Sequence, residues 1–298
     1  MIRRPLALAC LVWAFAATAL AAEPLRVHAV NAPLASFAER IAGERAEVVM
    51  PVPEERDPAF WRPAVADIAS LQQADLILLN GAGYAQWTTK ATLPRRALVD
   101  TAAAFEDRLI ETEGVTHSHG PEGAHTHAGL ATHVWLDLDL AADQARAVEA
   151  ALSRRDPAGA ETFAANLAGL EADLAALDAE ADALGRALAG VPLVASHPRY
   201  QYFARAYGFE IASLDWEAGA MPDDAAWAAL DALVAETGAR AMLWEAPPVP
   251  EAEAARAERG LGVVVFEPAG DRAETDFLAR MRANLDRLAA WANSRHER

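Results

Sequence analysis

The sequence predicts an α/β fold of two lobes, each an open, mostly parallel sheet with flanking helices, joined by one long rigid helix. Three observations predict it. Short apolar runs alternate with amphipathic helical stretches along most of the chain, the pattern of repeated βα units. The run Asp75–Asn80 (DLILLN) is apolar without alternation, as a parallel strand covered on both faces should be. Between two such βα series lies a single uninterrupted helical stripe from Asp156 to Leu188.

Taken in order, Leu25–Asn31 reads as a strand and Pro33–Gly43 as a helix. Glu47–Val52 reads as a strand, Pro63–Gln73 as a helix, Asp75–Asn80 as a strand, and Ala97–Asp100 as a weaker one. From Thr112 to Thr132 the chain is rich in His, Gly and Thr without periodicity and reads as a loop. Leu138–Arg154 is helical. The long stripe then places Phe163, Leu167, Leu170, Leu174, Leu177, Ala181, Leu184 and Leu188 at alternating steps of four and three. Acids and Arg186 occupy the opposite face. Such a helix would run about 50 Å at 1.5 Å per residue. It could pack as a coiled coil, but βα units on both sides favour a spine between lobes. The alternation then resumes: strands Pro192–Ser196, Glu210–Leu214, Arg240–Trp244 and Gly262–Phe266 are followed by helices Arg199–Gly208, Asp223–Gly238, Pro250–Gly260 and Glu274–Asn293. The expected organisation is a targeting segment at 1–21, a first lobe at 22–155 with the His-rich loop at 112–132, a spine at 156–190, and a second lobe at 191–298.

The targeting segment has a basic start (Arg3, Arg4), an apolar run from Leu6 to Leu20, and an Ala19-Leu20-Ala21 cleavage site. This reads as a secretory signal peptide, and an exported, periplasmic destination follows for a Gram-negative source. Cys10, the only cysteine, lies inside it, so the mature chain can hold no disulfide or thiolate site. The net charge of −17, from 43 acids against 26 bases, makes nucleic acid and anionic membrane surfaces poor partners and cations good ones.

Five of the eight histidines fall between His117 and His133. His117-Ser-His119 and His125-Thr-His127 are His-x-His pairs in an acidic chain, a composition with metal affinity. Ligands in open α/β sheets bind beyond the carboxyl ends of the strands. His197, Glu267, Glu245 and Asp215 stand directly after strands there, Glu54, Glu55 and Asp57 follow Glu47–Val52, and His133 ends the His-rich loop. Imidazole with carboxylate suits Zn²⁺ and its neighbours. Asp215 and Glu245 read as ordinary strand-end residues, His28 as a satisfied core residue, and His296 as part of a polar tail. Trp61, Trp87, Trp135, Trp216 and Trp244 are core residues by default.

These residues resemble the metal-binding substrate-binding proteins of bacterial zinc and manganese ABC transporters. His133-Val-Trp135-Leu-Asp137 is similar to that family's H-x-W-L-D motif. Ser196-His197-Pro198, with Tyr202-Phe203 and Tyr207-Gly208, is similar to its second-lobe S-H motif, and Ala74-Asp75-Leu76 leading to Asn80-Gly81 to its A-D-L…N-G segment. The resemblance covers nearly the whole mature chain. It implies metal held between two α/β lobes by His133, His197 and Glu267, the last a lengthened carboxylate where the family usually has aspartate. Histidine at 197 is the zinc-type choice, so zinc is favoured over manganese. It further implies an inner-membrane ABC permease as partner, a monomeric chain, no catalysis, and secondary metal capture by His117, His119, His125 and His127. One departure stands out. The family's D-P-H-x-x-x-P becomes Asp57-Pro58-Ala59-Phe60-Trp61-Arg62-Pro63, so alanine replaces the first histidine ligand. The expected substitute at that position is a loop histidine or water. Two other readings remain open: an exported zinc hydrolase with an open three-ligand site, using His133 and His197 with Glu245 as base, and a degenerate member acting as a metallochaperone through its His-rich loop.

Overall fold

The computed structural model describes residues 23–54, 56–118, 124–216 and 219–296. The segment 1–21 expected to be a signal peptide, Glu55 and His119 lie outside the described residues.

The first lobe is built on β1 (Leu25–Ala29), β2 (Ala46–Val49), β3 (Leu76–Leu79) and β4 (Leu98–Asp100), arranged β2-β1-β3-β4. All its pairings are parallel. The second is built on β7 (Leu193–Ala195), β8 (Ile211–Ser213), β9 (Ala241–Trp244) and β10 (Gly262–Val265), arranged β10-β9-β7-β8 and again parallel throughout. Read from the edge beside each lobe's first strand, the two orders are the same. The central strands are apolar on both faces, and Ile77, Leu78, Leu193, Val194, Met242 and Leu243 are fully buried. Continuous apolar runs were the signal for exactly this environment, helices on both sides of a parallel sheet.

The first lobe carries α1 (Ala32–Ala42), α2 (Val65–Leu71), α3 (Trp87–Lys90) and α4 (Leu138–Arg155); the second carries α6 (Gln201–Tyr207), α7 (Asp224–Thr237), α8 (Pro250–Glu258) and α9 (Phe277–His296). The spine is α5, Ala160–Ala187, preceded by a short 3₁₀ turn at Pro157–Gly159 that absorbs the start of the expected helix. Its stripe does what the spacing requires: Phe163, Leu170, Leu174, Leu177 and Ala181 are buried. The helix packs on α1 and α4 of the first lobe and on α6 and α9 of the second. At Gly185 it meets the backbone of α6, where any Cβ would collide with the Tyr207 carbonyl oxygen. Phe37 of α1 and Phe277 of α9 meet edge-on with centroids 5.5 Å apart, so the first and last helices also join the lobes.

Two expectations are corrected. The His-rich segment expected to be a loop is an antiparallel hairpin, β5 (Glu111–Ser118) and β6 (Ala124–Leu130), with His117 opposite His125 and Val115 opposite His127. Its Thr- and Val-containing arms pair locally, which a search for apolar periodicity does not see because one-sided polar hairpins carry little of it. His28 is buried as expected but not satisfied: its Nδ1 has no hydrogen-bond partner among the described residues. Burial holds its pKa below the usual imidazole value, with Glu47 pulling the other way.

Candidate functional site

A cleft of about 1090 Å³ opens between the carboxyl ends of the two sheets, lined among others by Asp57, Tyr84, His133, His197, Arg199, Glu245 and Glu267. The sequence placed most of these at strand ends or loop ends, and the fold brings them to one place.

His133 sits at the entry to a buried 3₁₀ turn, Val134–Leu136. The turn is fixed from the other lobe, because Trp135 Nε1 donates to the Pro268 carbonyl at 2.7 Å. The imidazole lies between Trp135, at a centroid distance of 4.8 Å, and the edge of Tyr84, at 6.1 Å. It is only 6 % exposed. Burial drives its pKa well below the usual histidine value, and the neighbouring Arg199 and His197 add to the effect, so the ring is neutral. Its Nδ1 lies 3.1 Å from Thr132 Oγ1, and its Nε2 lies 3.0 Å from Arg199 Nη1. A guanidinium can only donate. Nε2 is therefore the acceptor nitrogen, facing the cleft, and Nδ1 carries the hydrogen.

His197 follows β7. Its Nδ1 lies 3.0 Å from the Trp216 carbonyl oxygen, 3.5 Å from Glu245 Oε1 and 3.7 Å from Asp215 Oδ1. A carbonyl only accepts, so Nδ1 donates to it, and in the neutral ring Nε2 is then the acceptor. An imidazole oriented by an oxygen on one nitrogen presents the other as a metal donor. The two lobes thus contribute one such ring each.

Glu267 stands after β10 at the wall of the cleft. Asn284 holds its backbone on both sides, receiving the Glu267 N–H at 3.0 Å and donating to its carbonyl at 2.8 Å. Its carboxylate lies 3.2 Å from Arg280 and 3.3 Å from Arg287. The two arginines fix the carboxylate while leaving each oxygen further acceptor capacity.

Three residues have a larger part in the site than the sequence reading gives them: Arg199 is not singled out there, and Glu245 and Asp57 are named among the strand-end acids. Arg199 is one. It lies two positions beyond His197, is largely but not fully buried, and reaches across the cleft. Its Nη2 pairs with Asp57 Oδ2 at 2.9 Å and its Nε with Glu245 Oε2 at 2.7 Å, while Nη1 meets His133. Burial opposes its charge, but the two carboxylates more than offset that and raise its pKa. Glu245 is the second. Set aside as an ordinary strand-end residue, it is instead a nearly buried carboxylate of the cleft, with its pKa raised by burial against the pull of Arg199. Asp57 is the third. One oxygen makes a turn bond, accepting from the Ala59 N–H at 2.8 Å, and the other serves Arg199. The available signal was an arginine directly after a histidine-bearing strand end, with two acids at other strand ends of the same rim.

Ala59 contributes no donor atom, and the other residues of its loop that line the cleft are Pro53, Glu54, Arg56, Phe60, Trp61 and Arg62 beside Asp57 and Pro58. Among the described residues, no group of three or more His, Cys, Asp or Glu side chains is assembled as a metal shell. Arg199 accounts for this, since it stands between His133 and the two carboxylates. The histidines of the hairpin are placed only by register: His117 pairs with His125, and His127 lies two residues further on.

The cleft, its two lobes and their spine match a known family. The profile described as "Zinc-uptake complex component A periplasmic" aligns with residues 27–291. The chain belongs to this family, one of solute-binding proteins rather than enzymes. It is 32 % identical over 208 residues to the metal ABC transporter substrate-binding lipoprotein ScbA of Streptococcus cristatus, covering 67 % of this chain and 64 % of that one. It is 31 % identical over 206 residues to the manganese ABC transporter substrate-binding lipoprotein PsaA of Streptococcus pneumoniae, covering 65 % and 63 % respectively. The match thus spans less than two thirds of these relatives' length. The crystal structure of the Zn(II)-bound ZnuA-like domain of Streptococcus pneumoniae AdcA superposes with a TM-score of 0.75 at 21 % identity, covering 91 % of this chain and 99 % of that one. At that identity the likeness establishes the fold. Among the described residues no helix is long and apolar enough to cross a membrane.

Proposed function

We propose that this chain is the periplasmic binding component of an ABC importer, capturing a divalent transition metal between its lobes and delivering it to an inner-membrane permease. The observation that carries the reading is the pair of buried imidazoles, His133 from one lobe and His197 from the other, each hydrogen-bonded at Nδ1 so that Nε2 is the acceptor. Neutral imidazole is the form that binds metal, and no proton need leave His133 first. Glu267 is the proposed carboxylate donor beside them.

Zinc is the proposed cargo. Two imidazoles with carboxylate oxygen suit Zn²⁺, whereas Mn²⁺ prefers a shell of oxygens. Relatives of this family carry names of both metals, so the chemistry of the donors has to decide. His117, His119, His125 and His127 are proposed to gather further metal weakly at the hairpin. A binding role needs a closed shell, and an enzyme an open position for water; family membership favours the former. Calorimetric titration of the metal-free chain with Zn²⁺ and Mn²⁺ in turn tests the proposal. One tight site preferring zinc by at least tenfold is expected. A preference for manganese would reassign the cargo, and no tight site for either would refute the proposal.

A further inference from the structure

The cleft already holds a cation. The Arg199 guanidinium donates to His133 Nε2 at 3.0 Å, pairs with Asp57 of the first lobe at 2.9 Å, and pairs with Glu245 of the second at 2.7 Å. These partners span both walls, so the group is also an electrostatic latch across the cleft. Its contact with Nε2 matters most: that lone pair is the one His133 would offer a metal, and a nitrogen accepting from a guanidinium cannot donate to an ion at the same moment.

Glu245 adds an independent sign. Its Oε1 is buried and has no hydrogen-bond partner among the described residues, although its neighbour His197 Nδ1 is 3.5 Å away. Buried carboxylate oxygens are normally satisfied or ion-bound. One left over beside the His197 imidazole suits a cation that the guanidinium only partly replaces. Charge bookkeeping agrees. Asp57 and Glu245 carry two negative charges and Arg199 one positive, which leaves the cluster one negative charge over; a divalent ion in place of the guanidinium would balance it.

We propose that Arg199 is a built-in competitor for the cargo: its guanidinium occupies the cation position between the lobes, and metal binding displaces it, freeing Asp57 and Glu245 to complete the shell that lacks a side-chain donor at position 59. Asp57 lies two residues from Ala59 on the same loop. Carboxylate oxygens bind Zn²⁺ at about 2.0–2.2 Å, a shorter reach than their present contacts with Arg199, so closing on a small ion requires the guanidinium to leave. The cavity has room for it to swing aside. Affinity for metal is then set by the difference between two cations competing for the same donors. The metal-free cleft is latched rather than open.

The inference rests on the metal-binding reading, and one set of titrations separates their failures. Zn²⁺ is titrated calorimetrically into the metal-free chain and into Arg199→Gln, which keeps a hydrogen-bonding side chain but removes the charge, and into Arg199→Lys, which keeps the charge. Arg199→Gln is expected to bind zinc at least tenfold more tightly than wild type, and Arg199→Lys to gain less. Glu245→Gln added to Arg199→Gln should forfeit at least tenfold. Should wild type bind zinc tightly while Arg199→Gln binds equally or more weakly, the competitor role is overturned and the metal-binding reading stands. If neither binds zinc, both fall. A measurement on the unsubstituted chain covers the case of a variant that does not fold. Nitrogen-resolved NMR of the metal-free protein should contain a protected arginine side-chain N–H resonance that is lost on addition of one equivalent of Zn²⁺. Its persistence in the zinc-loaded protein would also overturn the displacement.

Discussion

The two lobes share a strand order yet use their strand ends differently. At the rim of the first sheet Asn31 and Asn80 are neutral amides bonded to each other, with Thr101 and Gln144 of α4 beside them, and the Asp100 carboxylate turns back on its own chain to accept from the Ala102 N–H. Asn31 Nδ2 donates to Asn80 Oδ1 at 3.1 Å, Asn80 Nδ2 donates to the Thr132 carbonyl at 3.0 Å, and Gln144 Nε2 reaches the Thr101 hydroxyl at 2.9 Å. Asn31, Asn80, Thr101 and Gln144 are fully buried. At the rim of the second sheet the strand ends carry His197, Asp215, Glu245 and Glu267, all titratable; His197, Glu245 and Glu267 line the cleft, and Asp215 stands behind His197, 3.7 Å from its Nδ1. The first lobe reaches the cleft through loops instead, with Asp57, Tyr84 and His133. One sheet edge is therefore an internal brace for the loop bearing His133, through Thr132, while the other is itself the wall of the site. The same topology hosts either use, since fold alone does not assign chemistry to a strand end.

Substitutions on the two rims should separate these roles, beginning with the largest effect. His133→Ala or His197→Ala is expected to lower zinc affinity by at least a hundredfold, because a bound-metal free energy of about 10 kcal/mol or more is divided among few donors. Comparable losses in calorimetry would mean that each lobe supplies one essential ring. A loss confined to one would break the symmetry of the account.

Asn80→Ala belongs to the brace. It removes the side-chain bonds with Asn31, Gln144, Gly81 and Thr132; Asn31 Nδ2 and the Thr132 carbonyl lose a partner, while Gln144 Nε2 keeps the Thr101 hydroxyl. At about 1–3 kcal/mol for each buried group left unsatisfied, a loss of roughly 2–4 kcal/mol in denaturant unfolding is expected. Zinc affinity should move far less than with His197→Ala. A stability change under about 0.5 kcal/mol would show that the amide network does not brace the first rim.

Trp135→Phe keeps an aromatic ring but a smaller one at a fully buried position, and deletes the indole N–H that reaches Pro268 across the lobes. The Pro268 carbonyl then loses a donor, at a cost of about 1–2 kcal/mol. Hydrogen exchange should locate the loosening at 133–136 and 266–270 rather than in either sheet.

His28 gives the smallest effect, and it is a dependence on pH. Its pKa is lowered in the folded chain by burial. The unfolded chain takes up a proton below about pH 6.5 and the folded chain resists it, so stability is unaffected above that pH and falls as pH drops beneath it. His28→Leu should flatten this slope in thermal melts between about pH 6.5 and 5. An unchanged slope would place the acid sensitivity elsewhere.

How much of this was legible in the sequence differs between fold and site. The parallel strands announced themselves through unbroken apolar runs such as Asp75–Asn80, and the spine through its four–three stripe, because burial on two faces or one stripe leaves a period in the sequence. The strand-end rule brought out His197 and Glu267 along with Glu245 and Asp215, and the motif resemblance singled out His133, His197 and Glu267, which line the cleft. The rule could not rank Glu245 above an ordinary strand-end acid. Arg199 was invisible because its role depends on partners at 57, 133 and 245, which only the closed fold brings together. The hairpin strands 111–118 and 124–130 were missed for a local reason: their sequences carry no apolar period.

The central claim is that the cleft, through one imidazole from each lobe, takes up a single divalent metal ion. The most direct test is zinc titration of the metal-free chain beside the His133→Ala, His197→Ala double variant, both with His117, His119, His125 and His127 replaced by asparagine to remove hairpin binding. The account expects one tight site per chain that vanishes in the double variant. An isotherm that is the same in both, or the absence of any tight site in the chain retaining His133 and His197, would contradict it.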